Sequence, residues 1–293
     1  MKKLLALVLS LIMVMACFAA CGGSSDPTEP ANETPTNVPT DAPLAENPTD
    51  APEEVKKETI VVGYTIYEPM NYEDENGKLV GFDTELAEAV FGNLGYDVIF
   101  QEINWSAKYT DLNSGAIDCV WNGFTCNCSD DDGIARKDKI DFSYNYMENR
   151  QVIVVKTDSG ITSAADLAGK VGAVESGSAG EAYAGTFEGV IITDCDVQTS
   201  ALMEVLARTA DFAVLDAQLA KSYCGKGDYS DLMIVDALSS DVEYYAIGFK
   251  KGSELTAKVN EQLVALAADG TIAALAEKYG VANTAITDFS DQQ

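Results

Sequence analysis

The sequence predicts an α/β protein with largely parallel sheets. Three observations carry this. From residue 59 onward, short β-branched runs alternate with segments of helical period. Apolar residues make up 47% of the chain, an ordinary share for a globular protein. The length of 293 residues suggests about two domains or lobes.

The elements follow in order. Residues 59–64 (Thr-Ile-Val-Val-Gly-Tyr) read as a buried strand, and Asn76-Gly77 as a hairpin turn. Asp83 is expected to cap a helix over 84–94, with Leu86, Val90, Phe91 and Leu94 on one face and a stop before Gly95. Residues 97–100 are strand-like, 106–114 form a short helix ending at Gly115, and 119–121 form a short strand. Residues 151–156 are a clear strand. Strands at 171–174, 190–193, 212–215, 232–235 and 244–250 then alternate with helices at 178–187, 199–209 and 216–224. Two helices, 253–268 and 271–279, close the chain, split by Asp269-Gly270. Such alternation means α/β architecture.

Composition excludes several functions. There is no histidine, so Ser–His–Asp and Cys–His machinery and His-ligated zinc are ruled out. The formal charge is −28, which leaves no basic face for nucleic acid.

Residues 1–20 read as a secretory signal peptide: Lys2 and Lys3 precede an apolar run that ends in small residues. Phe18-Ala19-Ala20-Cys21, followed by Gly-Gly-Ser-Ser, resembles a bacterial lipobox. It implies a lipidated Cys21 and a lipoprotein held at the outer face of the cell membrane. Phe18 departs from the usual Leu, and Val14-Met15-Ala16-Cys17 competes as a site. Residues 21–58 are expected to form an extended Pro/Thr/Asp/Glu-rich tether, since seven of the eight prolines fall between Pro27 and Pro52 and no apolar period exists there.

The folded part carries a family pattern. Gly81-Phe82-Asp83-Thr84-Glu85-Leu86 resembles the signature of the family 3 extracellular solute-binding proteins, the polar amino-acid receptors of ABC importers, although Phe91 departs from its usual small residue. Further likenesses follow in collinear order over about 59–280. They are Tyr67-Glu68-Pro69-Met70, the segment from Asp118 to Thr125, Arg136 with Ile140-Asp141-Phe142-Ser143, and Asp166-Leu167-Ala168-Gly169-Lys170. Gly177-Ser178, the run from Asp211 to Asp216, the run from Tyr245 to Gly252, and Asp269-Gly270-Thr271 complete them. The resemblance implies a two-lobed, periplasmic-binding-protein-like (type II) fold with ligand in a cleft that closes by hinge motion. Lobe 1 would hold 59–147 plus 246–293, and lobe 2 would hold 148–245. It also implies a monomer that captures a free L-amino acid without a cofactor and hands it to an ABC permease.

The resemblance, together with the chemistry of a zwitterion, implies which residues would grip such a ligand. A buried carboxylate needs a fork of donors, which Arg136 supplies at the family's carboxylate position. The stretch 126–135 before it is several residues longer than the family's spacing and inserts an Asp-Asp-Asp-Gly run, expected to be a solvated loop. Gly123 and Thr125, with Asn122 before them, would add backbone and hydroxyl partners, although the same residues equally suit a tight turn. Ser178 and Ala179 open a helix whose free N–H groups favour anions, although Ser178 equally suits a plain helix cap. Asp216 ends a buried strand where α/β sheets collect ligands, and would pair with the ammonium; its alternative is a cap for the next helix. Tyr67 and Trp105 occupy what the resemblance implies are the family's aromatic contact positions. Glu175 would favour a cationic side chain, unless it is one more solvent-facing acid.

Five cysteines lie in the folded part, and an odd number leaves at least one unpaired. At most one disulfide is expected, with Cys119 and Cys195 packed as apolar groups. Cys126-Asn127-Cys128 lacks a partner motif for metal. The competing function is an enzyme on the same fold, of the cyclohexadienyl dehydratase kind, with Glu175 as its general acid.

Overall fold

The structure, a computed structural model, describes residues 57–292. The signal peptide, Cys21 and nearly all of the tether lie outside the described residues. In order, the elements are β1 (Glu58–Tyr64), β2 (Tyr72–Glu73), β3 (Leu79–Val80), α1 (Phe82–Asn93), β4 (Tyr96–Glu102), α2 (Lys108–Ser114), β5 (Cys119–Val120), α3 (Arg136–Lys139), β6 (Asp141–Phe142) and β7 (Met147–Asn149). They continue with β8 (Gln151–Lys156), β9 (Val171–Glu175), α4 (Ala179–Ala184), β10 (Ile191–Cys195), α5 (Gln198–Ala207), β11 (Phe212–Asp216), α6 (Ala217–Tyr223) and β12 (Leu232–Ile234). The last are β13 (Glu243–Tyr245), β14 (Gly248–Phe249), α7 (Leu255–Ala268) and α8 (Thr271–Lys278).

They build two sheets. The first has the order β4-β1-β5-β14-β6, with β1 parallel to β4 and β5 and with β14 antiparallel to β5 and β6. The second has the order β10-β9-β11-β8-β12, parallel from β10 to β11 and antiparallel beyond. Both faces of the second sheet are covered. Along β8, Val152 and Val154 join one apolar cluster with Leu202 and Val205 of α5, while Ile153 and Val155 join another with Phe212 and Val214. A strand buried on both faces reads as an unbroken apolar run, as the sequence does over 151–156. In the first sheet, Val62 packs with Leu86, Val90 and Phe91 of α1 and with Val259 and Leu263 of α7.

Two chain crossings join the sheets. They pair as the antiparallel ribbon β7–β13. The single strand expected over 244–250 is therefore two. Glu243–Tyr245 belongs to this ribbon and Gly248–Phe249 to the first sheet, and the chain changes partners at Ala246-Ile247.

Helix α4 is shorter than expected, Ala179–Ala184 rather than 178–187. Asp83 is not a cap either. Helix α1 begins two residues earlier, at Phe82 behind Gly81, and its start has no side-chain cap. Asp83 is fully buried, and one carboxylate oxygen accepts from the Gly123 N–H (2.7 Å) and the Tyr146 hydroxyl (2.8 Å). Burial pushes its pKa up to about 7. The signature acid thus ties α1 to the turn after β5. Gly81 is equally constrained. Its φ is 133°, and a Cβ there would lie 2.0 Å from the Met70 carbonyl oxygen. Gly81→Ala is expected to destabilise the fold by about 2–4 kcal/mol from strain and clash. A scanning melt checks this, with a fall of roughly 5–15 °C expected at this size.

Candidate functional site

A cavity lies between the two sheets. From the first side it is lined by Trp105, Asn122, Gly123, Thr125 and Arg136, and from the second by Glu175, Ser178, Ala179, Gln198 and Asp216. The space among them is about 250 Å³, counting the part open to solvent. Topology puts these residues together. Asn122 and Gly123 follow β5, Glu175 ends β9 and Asp216 ends β11, all at carboxyl ends of parallel strands. Side chains converge there because each strand must turn into its crossover at that edge.

Arg136 is 1% exposed, and three of its five donors are fixed. Nε donates to Asp130 Oδ1 at 2.7 Å, Nη1 to the Thr125 carbonyl at 3.0 Å, and Nη2 across the cleft to the Gly177 carbonyl at 3.1 Å. One N–H remains on each terminal nitrogen, two charged donors that a carboxylate can use. The guanidinium also lies 5.2 Å from the Phe124 ring centroid. The longer stretch 126–135 has therefore not carried Arg136 away from the cavity. Nor is its acidic run a solvated loop throughout. Asp130 is buried and accepts from Lys139 Nζ and the Tyr109 hydroxyl, each at 2.7 Å, as well as from Arg136. Burial works against its charge, but Arg136 and these two bonds hold its pKa down at about 2.

The opposite wall is acidic. Asp216 begins α6 without capping it. Instead Oδ1 accepts from Asn149 Nδ2 (2.6 Å) and Gln151 Nε2 (2.7 Å), and Oδ2 accepts from Gln198 Nε2 (2.5 Å). Burial raises its pKa while these amides pull it back. Glu243 on β13 shares the Gln151 amide (2.9 Å) and accepts from the Thr125 hydroxyl (3.2 Å). Burial and then Asp216 push its pKa up to about 7. Glu175 is not a solvent-facing acid: it is 3% exposed, and its Oε1 has no partner among the described residues. Burial, then Asp216, push it up to about 8, against the pull of Lys108 and Arg136.

Sequence reasoning missed Gln198, Glu243 and Lys108. Lys108 is buried and donates across the cleft to the Gly177 carbonyl at 2.9 Å. Burial and Arg136 push its pKa down to about 7. A lysine in a short helix carries no signal of this placement.

Other expected residues divide. Tyr67 does not line the cavity: it packs behind Gly123, its hydroxyl bonded to that of Tyr245 at 2.6 Å. Gly123, at φ 55°, has no room for a Cβ, which would lie 2.6 Å from Tyr67. The Asn122 amide is spent on Thr65 and Asn71. Ser178 Oγ caps α4 by accepting from Glu181 N–H at 3.0 Å. The Trp105 ring meets Phe124 edge-on at 5.0 Å. Among the described residues, all five cysteines are free thiols, Cys119 fully buried and Cys195 partly so.

The chain that builds this cleft is similar to known proteins over most of its length. The bacterial extracellular solute-binding proteins, family 3, match residues 60–282. The chain belongs to this family. Among family 3 relatives, the arginine-binding extracellular protein ArtP of Bacillus subtilis is 30% identical over 78% of this chain and 88% of its own. The L-cystine-binding protein TcyA of the same organism is 30% identical over 76% and 82%. A solved ancestral arginine-binding protein bound to arginine shares 35% identity at a TM-score of 0.69, covering 76% of this chain and 98% of its own. The family and the two-lobed fold read from the sequence both hold. The relatives named are binding proteins, and the dehydratase alternative gains nothing from them.

The wall of acids has a cost that can be measured. Glu175 has a folded pKa above its ordinary value of 4.5, so its share of stability is complete below about pH 4.5 and is lost as pH rises through about 8. Glu175→Gln is expected to be more stable than wild type at pH 8 by about 1–3 kcal/mol. The gap should narrow toward pH 5 in calorimetric scans at the two pH values.

Proposed function

We propose that this protein is the extracytoplasmic receptor of an ABC importer. It captures a free L-amino acid with a cationic side chain and delivers it to the permease. The observation that carries this is the cavity, where a fixed Arg136 on one wall faces Asp216 and Glu175 on the other. Arg136 takes the ligand carboxylate on its two remaining N–H groups, and Asp216 takes the ammonium. Glu175, buried with an unpartnered oxygen, pairs with a positive side chain that lies along Trp105. Gly123, Thr125, Ser178 and Ala179 shape the pocket, and Tyr67 and Asn122 support it from behind. The names of the arginine-binding relatives support the cationic class.

Lobes 59–147 plus 246–293 and 148–245 close about the two crossings. A lipid on Cys21 and the tether at 21–58 keep a monomer at the outer face of the membrane, near its permease.

A thermal-shift panel of the common L-amino acids, with cystine, tests the reading. At about 100 times Kd, a ligand adds roughly 2.7 kcal/mol, and the largest shifts are expected from arginine, lysine or ornithine. A flat panel contradicts it. Because Glu175 must ionise to pair, binding of arginine releases protons at pH 7. Affinity should therefore rise from pH 6 to pH 8, and the heat should depend on the buffer's ionisation enthalpy.

A further inference from the structure

The loop before Arg136 differs from its surroundings in one respect: it is folded around a single buried acid. The Asp130 N–H donates to the Ile134 carbonyl (3.1 Å), the Gly133 N–H returns to the Asp130 carbonyl (2.9 Å), and the Arg136 N–H reaches the Cys128 carbonyl (3.1 Å). A bridge between Ser129 and Ala135 closes the loop. These bonds turn the Asp130 side chain inward beneath Arg136, while Asp132 stays outside and meets Lys139 at 2.8 Å.

Both Asp130 oxygens are used. One takes Arg136 Nε; the other takes Lys139 Nζ and the Tyr109 hydroxyl. Nothing in the cavity is left for Asp130 to touch. Its effect runs through the guanidinium, whose long side chain has many rotamers to lose. Held only by Thr125 and Gly177 carbonyls, the plane could still tilt. The bond at Nε fixes the third corner of a guanidinium that lines the cavity, and with it the direction of the two remaining N–H groups.

We propose that Asp130 is a positioning residue for carboxylate recognition, and that the loop 126–135 serves to orient Arg136. This rests on the reading that Arg136 takes the ligand carboxylate. The loop thereby makes the carboxylate subsite more rigid. Preorganised donors gain affinity by sparing the ordering cost at binding.

The test combines two readouts on wild type, Asp130→Asn, Asp130→Glu and Arg136→Ala, each first checked for folding by circular dichroism. The first readout needs no ligand. The chain has three arginines, and Arg150 and Arg208 are exposed, so the arginine Nε–H region of a nitrogen-15 spectrum is simple. One slowly exchanging Nε–H is expected in wild type; it should be absent in Arg136→Ala and fast in Asp130→Asn. The second is calorimetric titration with L-arginine and with agmatine, its decarboxylated analogue. Asp130→Asn should lose about 10–100-fold for L-arginine, the size of effect seen when a group that orients a metal ligand is removed, and under threefold for agmatine. Asp130→Glu should recover part of the loss, and it carries the test if Asp130→Asn does not fold.

Three fast Nε–H groups in wild type, or equal losses for both probes, overturn the proposal alone. So does Asp130→Asn binding L-arginine within threefold of wild type. If Arg136→Ala keeps its L-arginine affinity, or wild type binds no L-arginine, the functional reading falls and takes the proposal with it.

Discussion

Arg136→Ala is expected to weaken L-arginine binding by about 2–5 kcal/mol, roughly 30- to 5,000-fold. The substitution strips the carboxylate of its fork inside a closed cleft, where water cannot replace it. Exposed ion pairs, worth about 0–1 kcal/mol, could not produce so large a loss. Folding should suffer too, because Asp130 stays buried with only Lys139 and Tyr109 as partners. Breaking a buried pair typically costs about 3–5 kcal/mol, and here the remaining partners should hold the loss to the lower end. Calorimetric titration measures the binding part and urea denaturation the folding part. Binding within about tenfold of wild type would place the carboxylate elsewhere.

Asp216→Ala is expected to cost a similar 2–5 kcal/mol of binding with a different stability signature. It removes the acceptor shared by the Asn149, Gln151 and Gln198 amides, which is destabilising. It also removes a negative charge that raises both Glu175 and Glu243. These effects oppose each other, so folding should change less than in Arg136→Ala. The neighbouring acids should then titrate lower, and the pH dependence of stability should move to a more acidic window. Calorimetric scans of the variant between pH 5 and pH 8 follow this directly. An unchanged window would mean that the three carboxylates do not share one field.

Much of the frame was legible because it is local. A run such as 151–156 announces a doubly buried strand, and the glycines at 81, 115 and 123 sit where positive φ is needed. The place of Asp216 in the cavity wall was legible by position, since it ends an apolar strand at the carboxyl edge of the sheet. What failed was long-range. Asp83 looks like a cap from its neighbours, yet its partners are Gly123 and Tyr146, far along the chain. Asp130 sits in an acidic run, and no periodicity says which of three aspartates will turn inward. Gln198, Lys108 and Glu243 lie on a helix start, a short helix and a crossing ribbon, and only tertiary folding makes their side chains converge. The break at Ala246-Ile247 has no local signal, because both halves have strand character and differ only in which strand they pair with.

The claim that most needs testing is that one zwitterion is held at both ends from opposite walls of the cleft. Calorimetric titration of the wild-type protein with three molecules tests it: L-arginine, agmatine without the carboxylate, and 5-guanidinovalerate without the α-ammonium. Each truncated molecule should bind at least about 30-fold more weakly than L-arginine, or 2 kcal/mol. In Arg136→Ala the gap between L-arginine and agmatine should close, and in Asp216→Ala the gap to 5-guanidinovalerate should close. If either truncated molecule binds wild type as tightly as L-arginine, the two-ended grip is contradicted.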